Sequence, residues 1–312
     1  MQLSLFDLHA DTAWTMYETK QALTANRLAV SLERAAPFDR YIQVMALWTH
    51  PTLDDESGWV RCGEMLERLK QDDALLECRA KLCTACPEKE SPTASLLLSV
   101  EDARILCGRI ERVDTLWKMG VRILTPLWKG ESCIGGAYDT DTGLTEFGKQ
   151  ALTRACSIGM IPDLSHASLR SAEQMLEIAA IHRIPAIASH SNAYALCPAA
   201  RNLREAQIDA ILGQHGIIGL NLHTPFLREN GDATAEDVLR QIDYFLGRGA
   251  EHALCLGCDM DGATLPPDLS DLSLLPLLAE HMQKRNYGEQ TIRAIFFENA
   301  YRFANQYIQE TN

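Results

Sequence analysis

The sequence predicts an α/β fold, a (β/α)8 TIM-type barrel with C-terminal helices, as one domain over residues 1–312. Three observations predict it. Eight short apolar segments alternate with helix-length amphipathic ones. Polar residues able to do chemistry follow strands one, three, five, six and eight. Those ends meet at one mouth in a closed barrel, but the first and last could lie far apart in a doubly wound open sheet. Finally, residues 160–166 and 187–190 frame a strand–helix–strand unit whose strands must be parallel. Its strands end in His166 and His190, 24 positions apart, so both imidazoles fall at the same end of the sheet. A histidine at a strand end is commonly a half-buried polar residue. Two at equivalent positions, each flanked by further polar residues, point to a site.

Residues 3–8 read as a strand that runs into His9-Ala10-Asp11, where an extended chain places imidazole and carboxylate on one face. Residues 27–40 read as a mixed loop or short helix, and 41–48 as the second strand. Residues 57–78 form an amphipathic helix with Val60, Met65, Leu66 and Leu69 on its apolar side. After a polar connection at 87–92, the buried strand 94–100 exits at Glu101-Asp102. A carboxylate there is either a metal-ligand candidate or an acid of the next helix, 105–119, and Asp102 suits the second part. Residues 121–127 are the fourth strand, and the glycine-containing loop 128–143 has the length of a functional loop. Thr145 starts the next helix and Gly159 stops it. Within the central unit, Ser168 is the helix N-cap and Pro185 bars continuation. A helix at 203–214, a strand at 216–222, a helix at 235–246 and a strand at 253–258 follow. The last strand ends in Asp259-Met260-Asp261-Gly262, and helices fill the chain from 269 onward.

An apolar fraction of 46% and a charged fraction of 23% provide for a full globular core. A net charge of −13 argues against nucleic acid and anionic membranes as partners. Asp7, His9 and Asp11 interrupt any signal-peptide core, and no apolar run approaches a membrane span, so a cytoplasmic location is expected. The ten cysteines then read as reduced thiols, and the pairs Cys83/Cys86 and Cys255/Cys258 as small apolar packing rather than zinc knuckles.

The strand ends collect His9, Asp11, Glu101, His166, His190 and Asp259. Three histidines with two or three carboxylates suit zinc or a similar divalent ion. Five ligands exceed one catalytic site with an open position but suit two ions that share a carboxylate and a hydroxide. A carboxylate left off the metals, Asp259, would then shuttle the proton.

These motifs, in this order, resemble the membrane (renal) dipeptidase family of zinc peptidases, peptidase family M19, within the amidohydrolase superfamily. The family's His-x-Asp followed by Trp is met by His9-Ala10-Asp11 and Trp14, and its Asp-Leu-x-His by Asp163-Leu164-Ser165-His166. Its Ser-His-Ser followed by Arg-Asn is met by Ser189-His190-Ser191 and Arg201-Asn202, and its Gly-x-Asp-x-Asp-Gly by residues 257–262. The resemblance implies two zinc ions per chain, one on His9 and Asp11, the other on His166 and His190, with Glu101 bridging and Asp259 as acid/base. It implies that Arg201 grips the free carboxylate of a dipeptide, that Trp14 lines the pocket, and that His223 stands where the family has a substrate-contacting tyrosine. The partner would be a small dipeptide, with a D-residue tolerated at its C-terminal side, and the chain would form a homodimer as many members do. Two departures stand out. Glu101-Asp102 replaces the usual Glu-Gly, and Trp128 occupies the place of a histidine after strand four, as in some bacterial relatives. The indole would wall the pocket and still offers an N–H donor. Other readings of the same residues are an amidohydrolase for an N-acyl amino acid, a lactone or another small amide, and a non-catalytic descendant supported only by Trp128.

Overall fold

The computed structural model describes residues 2–89 and 94–309. Its strands are β1 (Leu3–Ala10), β2 (Phe38–Trp48), β3 (Ala80–Leu82), β4 (Ala94–Glu101), β5 (Val121–Thr125), β6 (Ile161–Pro162), β7 (Ile218–Leu220) and β8 (Leu254–Leu256). All pair in parallel, in the order β6-β5-β4-β2-β1-β8-β7, with β3 added on β4. The gap between β6 and β7 is closed by residues 187–188, through parallel bridges from Ile187 to Asp163 and from Ala188 to Ile218. Seven strands and this segment make the eight barrel positions. The sixth strand read from the sequence is thus present as two bridges rather than a regular strand. Gly219 and Gly257 explain the crowding there: a Cβ on either would lie 1.8 Å from the Ser189 carbonyl oxygen.

The barrel interior is a cluster drawn from every position, including Phe6, Leu8, Ile42, Val44, Leu97, Ile123, Ile161, Ile187, Ile217 and Cys255. Phe297, Ala300, Phe303 and Ile308 of the C-terminal helices join that cluster and plug the end opposite the polar strand ends. A second, larger core lies between the strands and the surrounding helices. With Phe6 and Leu8 facing inward, strict alternation would turn His9 outward. The β1–β2 register prevents this: Asp7 pairs with Gln43 but Ala10 with Met45, so three steps along β1 match two along β2. The extra residue is a bulge, which re-aims the side chain beyond it.

Several elements differ from the sequence reading. A helix at Thr12–Thr19 follows β1 directly, and 27–37 is a run of turns. The helix after β2 is Asp55–Lys70 with a separate turn at Asp73–Leu76, and its buried stripe is Gly58, Cys62, Met65, Leu66 and Leu69. Val60 lies off that stripe and is 58% exposed. The helix read at 105–119 is a 3-10 turn, Ala103–Leu106, and a helix, Glu111–Lys118, separated by left-handed Cys107 and Gly108. The caps at Thr145 and Ser168 form as read, each hydroxyl accepting the N–H three residues on, from Gly148 and Ser171. Of the polar connection, residues 90–92 lie outside the described residues, as do 310–312 of the helical C-terminus. Among the described residues no helix is long and apolar enough to cross a membrane. All ten cysteines carry free thiols.

Candidate metal centre

The barrel brings His9, Asp11, Glu101, His166, His190 and Asp259 together at the C-terminal mouth. Glu101 lies between the histidines. Its Oε2 is 3.7 Å from His9 Nε2, while its Oε1 is 2.9 Å from His166 Nε2 and 3.5 Å from His190 Nε2. His9 Nε2 is also 3.6 Å from Asp11 Oδ2 and 3.8 Å from Asp259 Oδ1. Asp11 meets His9 by a different route from the extended chain expected: it is the N-cap residue of the helix Thr12–Thr19, at φ −88° and ψ 19°. Asp102 faces away, its carboxylate accepting from the Arg104 backbone N–H and side chain. Glu101 is therefore the acid at the centre. His166 and Asp259 both take left-handed backbone, φ 70° and 61°, a conformation uncommon outside glycine, more open to His and Asp than to most side chains, and concentrated at functional sites.

The donor set fits a cation. Both ring nitrogens of His9 and Oδ1 of Asp11 are buried without a hydrogen-bond partner. His166 Nδ1 lies 2.9 Å from the Trp128 carbonyl, which can only accept, so the proton sits on Nδ1 and Nε2 is bare. His190 Nε2 is 3.0 Å from that bare nitrogen. Burial, with Arg201 and His9, holds His166 well below the ordinary imidazole range, and burial with His9 and Arg201 does the same to His190. Burial pushes Glu101 well above the carboxylate range, against the pull of the His9 charge. Burial opposes the His9 charge too, but Glu101, Asp11 and Asp259 outweigh it and raise His9 to about 10. The positive charge these acids favour thus rests on a His9 proton, and a cation bound among them would displace that proton and let Glu101 ionise.

Gly262 makes room for this arrangement, since a Cβ there would stand 1.8 Å from Asp11 Oδ2. Gly262→Ala is expected to displace Asp11 and weaken any divalent-metal binding at this cluster by at least the ~10–100-fold that losing a ligand's support costs. Competition with a chromophoric chelator measures this, and an unchanged affinity would show that Asp11 is not needed.

A cavity of about 390 Å³ opens over the cluster, lined by Asp11, Glu101, His166 and Asp259 and by a wall of aromatic rings. Trp14 meets Trp48 edge to face at 5.3 Å, Trp48 meets Trp128 at 5.2 Å, and His50 stacks on Trp14 at 6.1 Å. Tyr138, Phe226 and His223 complete the lining. His223 accepts the Thr264 N–H through Nδ1 at 3.1 Å. Arg201 is buried beneath the site. Its Nη1 donates to Ser191 Oγ at 2.8 Å and its Nη2 to the His190 carbonyl at 2.9 Å, while Nε has no partner. Trp48, His50, Tyr138 and Phe226 were not read from the sequence. Trp48 pairs with Glu101 in the β2–β4 register, so its place at the end of the second strand was the available signal.

The sequence pattern of the membrane dipeptidase family (Peptidase family M19) matches residues 1–312. An uncharacterized protein in the pqqA 5' region of Klebsiella pneumoniae is 30% identical over 253 residues, 76% of this chain and 92% of that protein. Dipeptidase 3 of Rattus norvegicus is 27% identical over 72% of this chain, which spans only 50% of the rat protein. Among solved structures, the metallopeptidase dipeptidase AC superposes with a TM-score of 0.90 at 26% identity, covering 99% of this chain and 100% of that one. A metallopeptidase from Rhodobacter sphaeroides, liganded with a phosphinate mimic of the dipeptide L-Ala-D-Ala, gives 0.89 at 25% identity, covering 98% and 100%. A barrel whose mouth gathers this donor set, in a chain matched end to end by one family, belongs to the membrane dipeptidases of peptidase family M19, metal-dependent dipeptidases by class.

Proposed function

We propose that the chain hydrolyses dipeptides with two divalent ions, zinc by the nitrogen and oxygen character of the donors. His9 and Asp11 hold one ion, His166 and His190 the other, and Glu101 spans them. The observation that carries this reading is the split of Glu101, whose two oxygens face different imidazoles. Bound there, the ions would lower the pKa of a water and polarise the scissile carbonyl. Asp259 is the proton carrier. Asn221 Nδ2 donates to its Oδ2 at 2.9 Å, which fixes the carboxylate while Oδ1 stays on the His9 side. The aromatic wall packs the substrate's apolar parts. Substrates extend to L-Xaa-D-Xaa dipeptides, a reading supported by the ligand of the Rhodobacter sphaeroides relative. A cytoplasmic setting accords with ten unpaired thiols.

Arg201 binds the free carboxylate of the dipeptide through its uncommitted N–H groups. A hydrogen bond to a charged group contributes about 1.5–3 kcal/mol. Zinc-reconstituted protein should therefore cleave L,L- and L,D-dipeptides, and Arg201→Ala should lose about 10–100-fold in kcat/KM on them but much less on their C-terminal amides. Equal losses on both would make Arg201 a support for His190 and Ser191 alone. No cleavage of any dipeptide by the fully metallated wild type would overturn the function.

A further inference from the structure

Asp163 is fully buried at the exit of β6 and belongs to none of the roles above. Its Oδ1 accepts the backbone N–H of Ser165 at 3.0 Å and of Ser189 at 2.8 Å. Its Oδ2 accepts the hydroxyls of Thr125 at 2.6 Å and Ser189 at 2.5 Å. One carboxylate thus ties together the ends of three neighbouring barrel positions. A carboxylate only accepts, so the single Ser189 hydroxyl proton is committed to Asp163. The face that Ser189 Oγ turns to His190 Nδ1, at 2.6 Å, is therefore a lone pair. The shorter contact, to Ser189, takes the ring proton on Nδ1 and leaves Nε2 bare toward Glu101, with its lone pair facing that of His166 Nε2 at 3.0 Å, an opposition that a cation between the two nitrogens relieves.

We infer that Asp163 is a positioning residue which, through Ser189, selects the Nδ1-protonated tautomer of His190 and so makes its Nε2 a lone-pair donor for a metal ion. The metal half of this rests on reading His190 as a ligand; the tautomer half does not. The other imidazole of the pair reaches the same state by a different device, the Trp128 backbone carbonyl, which no side-chain substitution removes. Asp7 is a partial counterpart on the opposite side of the site. Its Oδ1 likewise accepts two backbone N–H groups, from His9 at 3.1 Å and Cys258 at 3.0 Å, but no hydroxyl relays it to a ring. Of the three histidines, His190 alone has its tautomer set by side chains.

Asp163→Asn inverts the relay. The amide oxygen keeps the two backbone N–H groups, so the NH2 takes the place of Oδ2 and donates to Ser189 Oγ. The serine proton then turns to His190 Nδ1, and the ring proton moves to Nε2, where it blocks a metal. Adding Ser189→Ala removes the hydroxyl that carries the inverted signal. The double variant is therefore expected to bind zinc better than Asp163→Asn alone, a rescue that a merely structural Asp163 would not give.

Two measurements test this. ¹⁵N spectra of metal-free, histidine-labelled protein report which ring nitrogen is protonated, with His190 assigned by its loss in His190→Ala. Zinc titration against a chromophoric chelator reports the affinity of each site. We expect a protonated Nδ1 in the wild type and a protonated Nε2 in Asp163→Asn. We also expect a ~10–100-fold or greater loss at one of two zinc sites, the cost typical of removing a ligand's support, and partial recovery in the double variant. A wild-type His190 protonated on Nε2 overturns the inference even if no variant folds. So does an Asp163→Asn protein with unchanged affinity, or a double variant at least as weak as the single. If the tautomer inverts while wild-type zinc binding leaves the His190 signals unmoved, the relay stands and the assignment of His190 as a ligand fails.

Discussion

Asp259→Asn is expected to keep its bound metal and lose most of its turnover. The carboxylate stands at the mouth with Oδ1 3.8 Å from His9 Nε2 and with Oδ2 pinned by Asn221. An asparagine amide fills the same space, and its oxygen can still accept from Asn221, but it cannot carry a proton. Losing a general acid/base costs ~10²–10⁴-fold. Steady-state kinetics on the best dipeptide, with metal content measured on the same sample, checks this. Near-full activity would remove Asp259 from the chemistry. Asp261 would not be the replacement. Its Oδ2 accepts from Thr12 Oγ1 at 2.6 Å and its Oδ1 from the Ala29 N–H at 2.7 Å, so that carboxylate anchors the first helix and the 27–30 turns.

Glu101→Gln is expected to have the larger effect on the metals. The substitution keeps the shape of the side chain but cannot ionise against a cation held between His9 on one side and His166 with His190 on the other. Loss of an outer-shell support costs ~10–100-fold in metal affinity. Loss of a carboxylate placed between both half-sites should exceed that for at least one ion, with kcat/KM falling in parallel. Elemental analysis at saturating and limiting zinc, alongside turnover, measures both. A variant that still binds two ions tightly and remains active would place the bridge elsewhere.

Much of this arrangement was legible in the sequence because barrel periodicity and strand-end chemistry are local signals. The apolar segments mark the strands, and the residue just past each one is fixed at the mouth by topology alone. What escaped was set by non-local geometry. Nothing local announces the β1 bulge, yet without it His9 would leave the lumen side to which Phe6 and Leu8 belong. The stretch 187–189 reads as a strand, but its bridging depends on glycines thirty and more positions away. Val60 reads as core until the stripe of its helix is placed against its neighbours. Asp163 opens the Asp-Leu-Ser-His motif, but its role lies in donors from Thr125, Ser165 and Ser189, a convergence only the fold reveals. Trp48 could have been placed at the mouth from its position at the end of β2, but the cavity it shares with His50, two residues beyond that strand, appears only in the fold.

Trp128 contributes to the centre through two chemically separate parts. Its carbonyl orients His166, while its indole packs on Trp48 in the cavity wall. Every amino acid carries the carbonyl, and only tryptophan carries the indole. For an engineer, position 128 is therefore a dial for the shape of the cavity wall that is uncoupled from the bond orienting His166. A saturation library there would remodel the wall while the backbone bond to the imidazole persists in each member. Positions 163 and 189 offer no such freedom, because the groups that orient His190 are the side chains themselves.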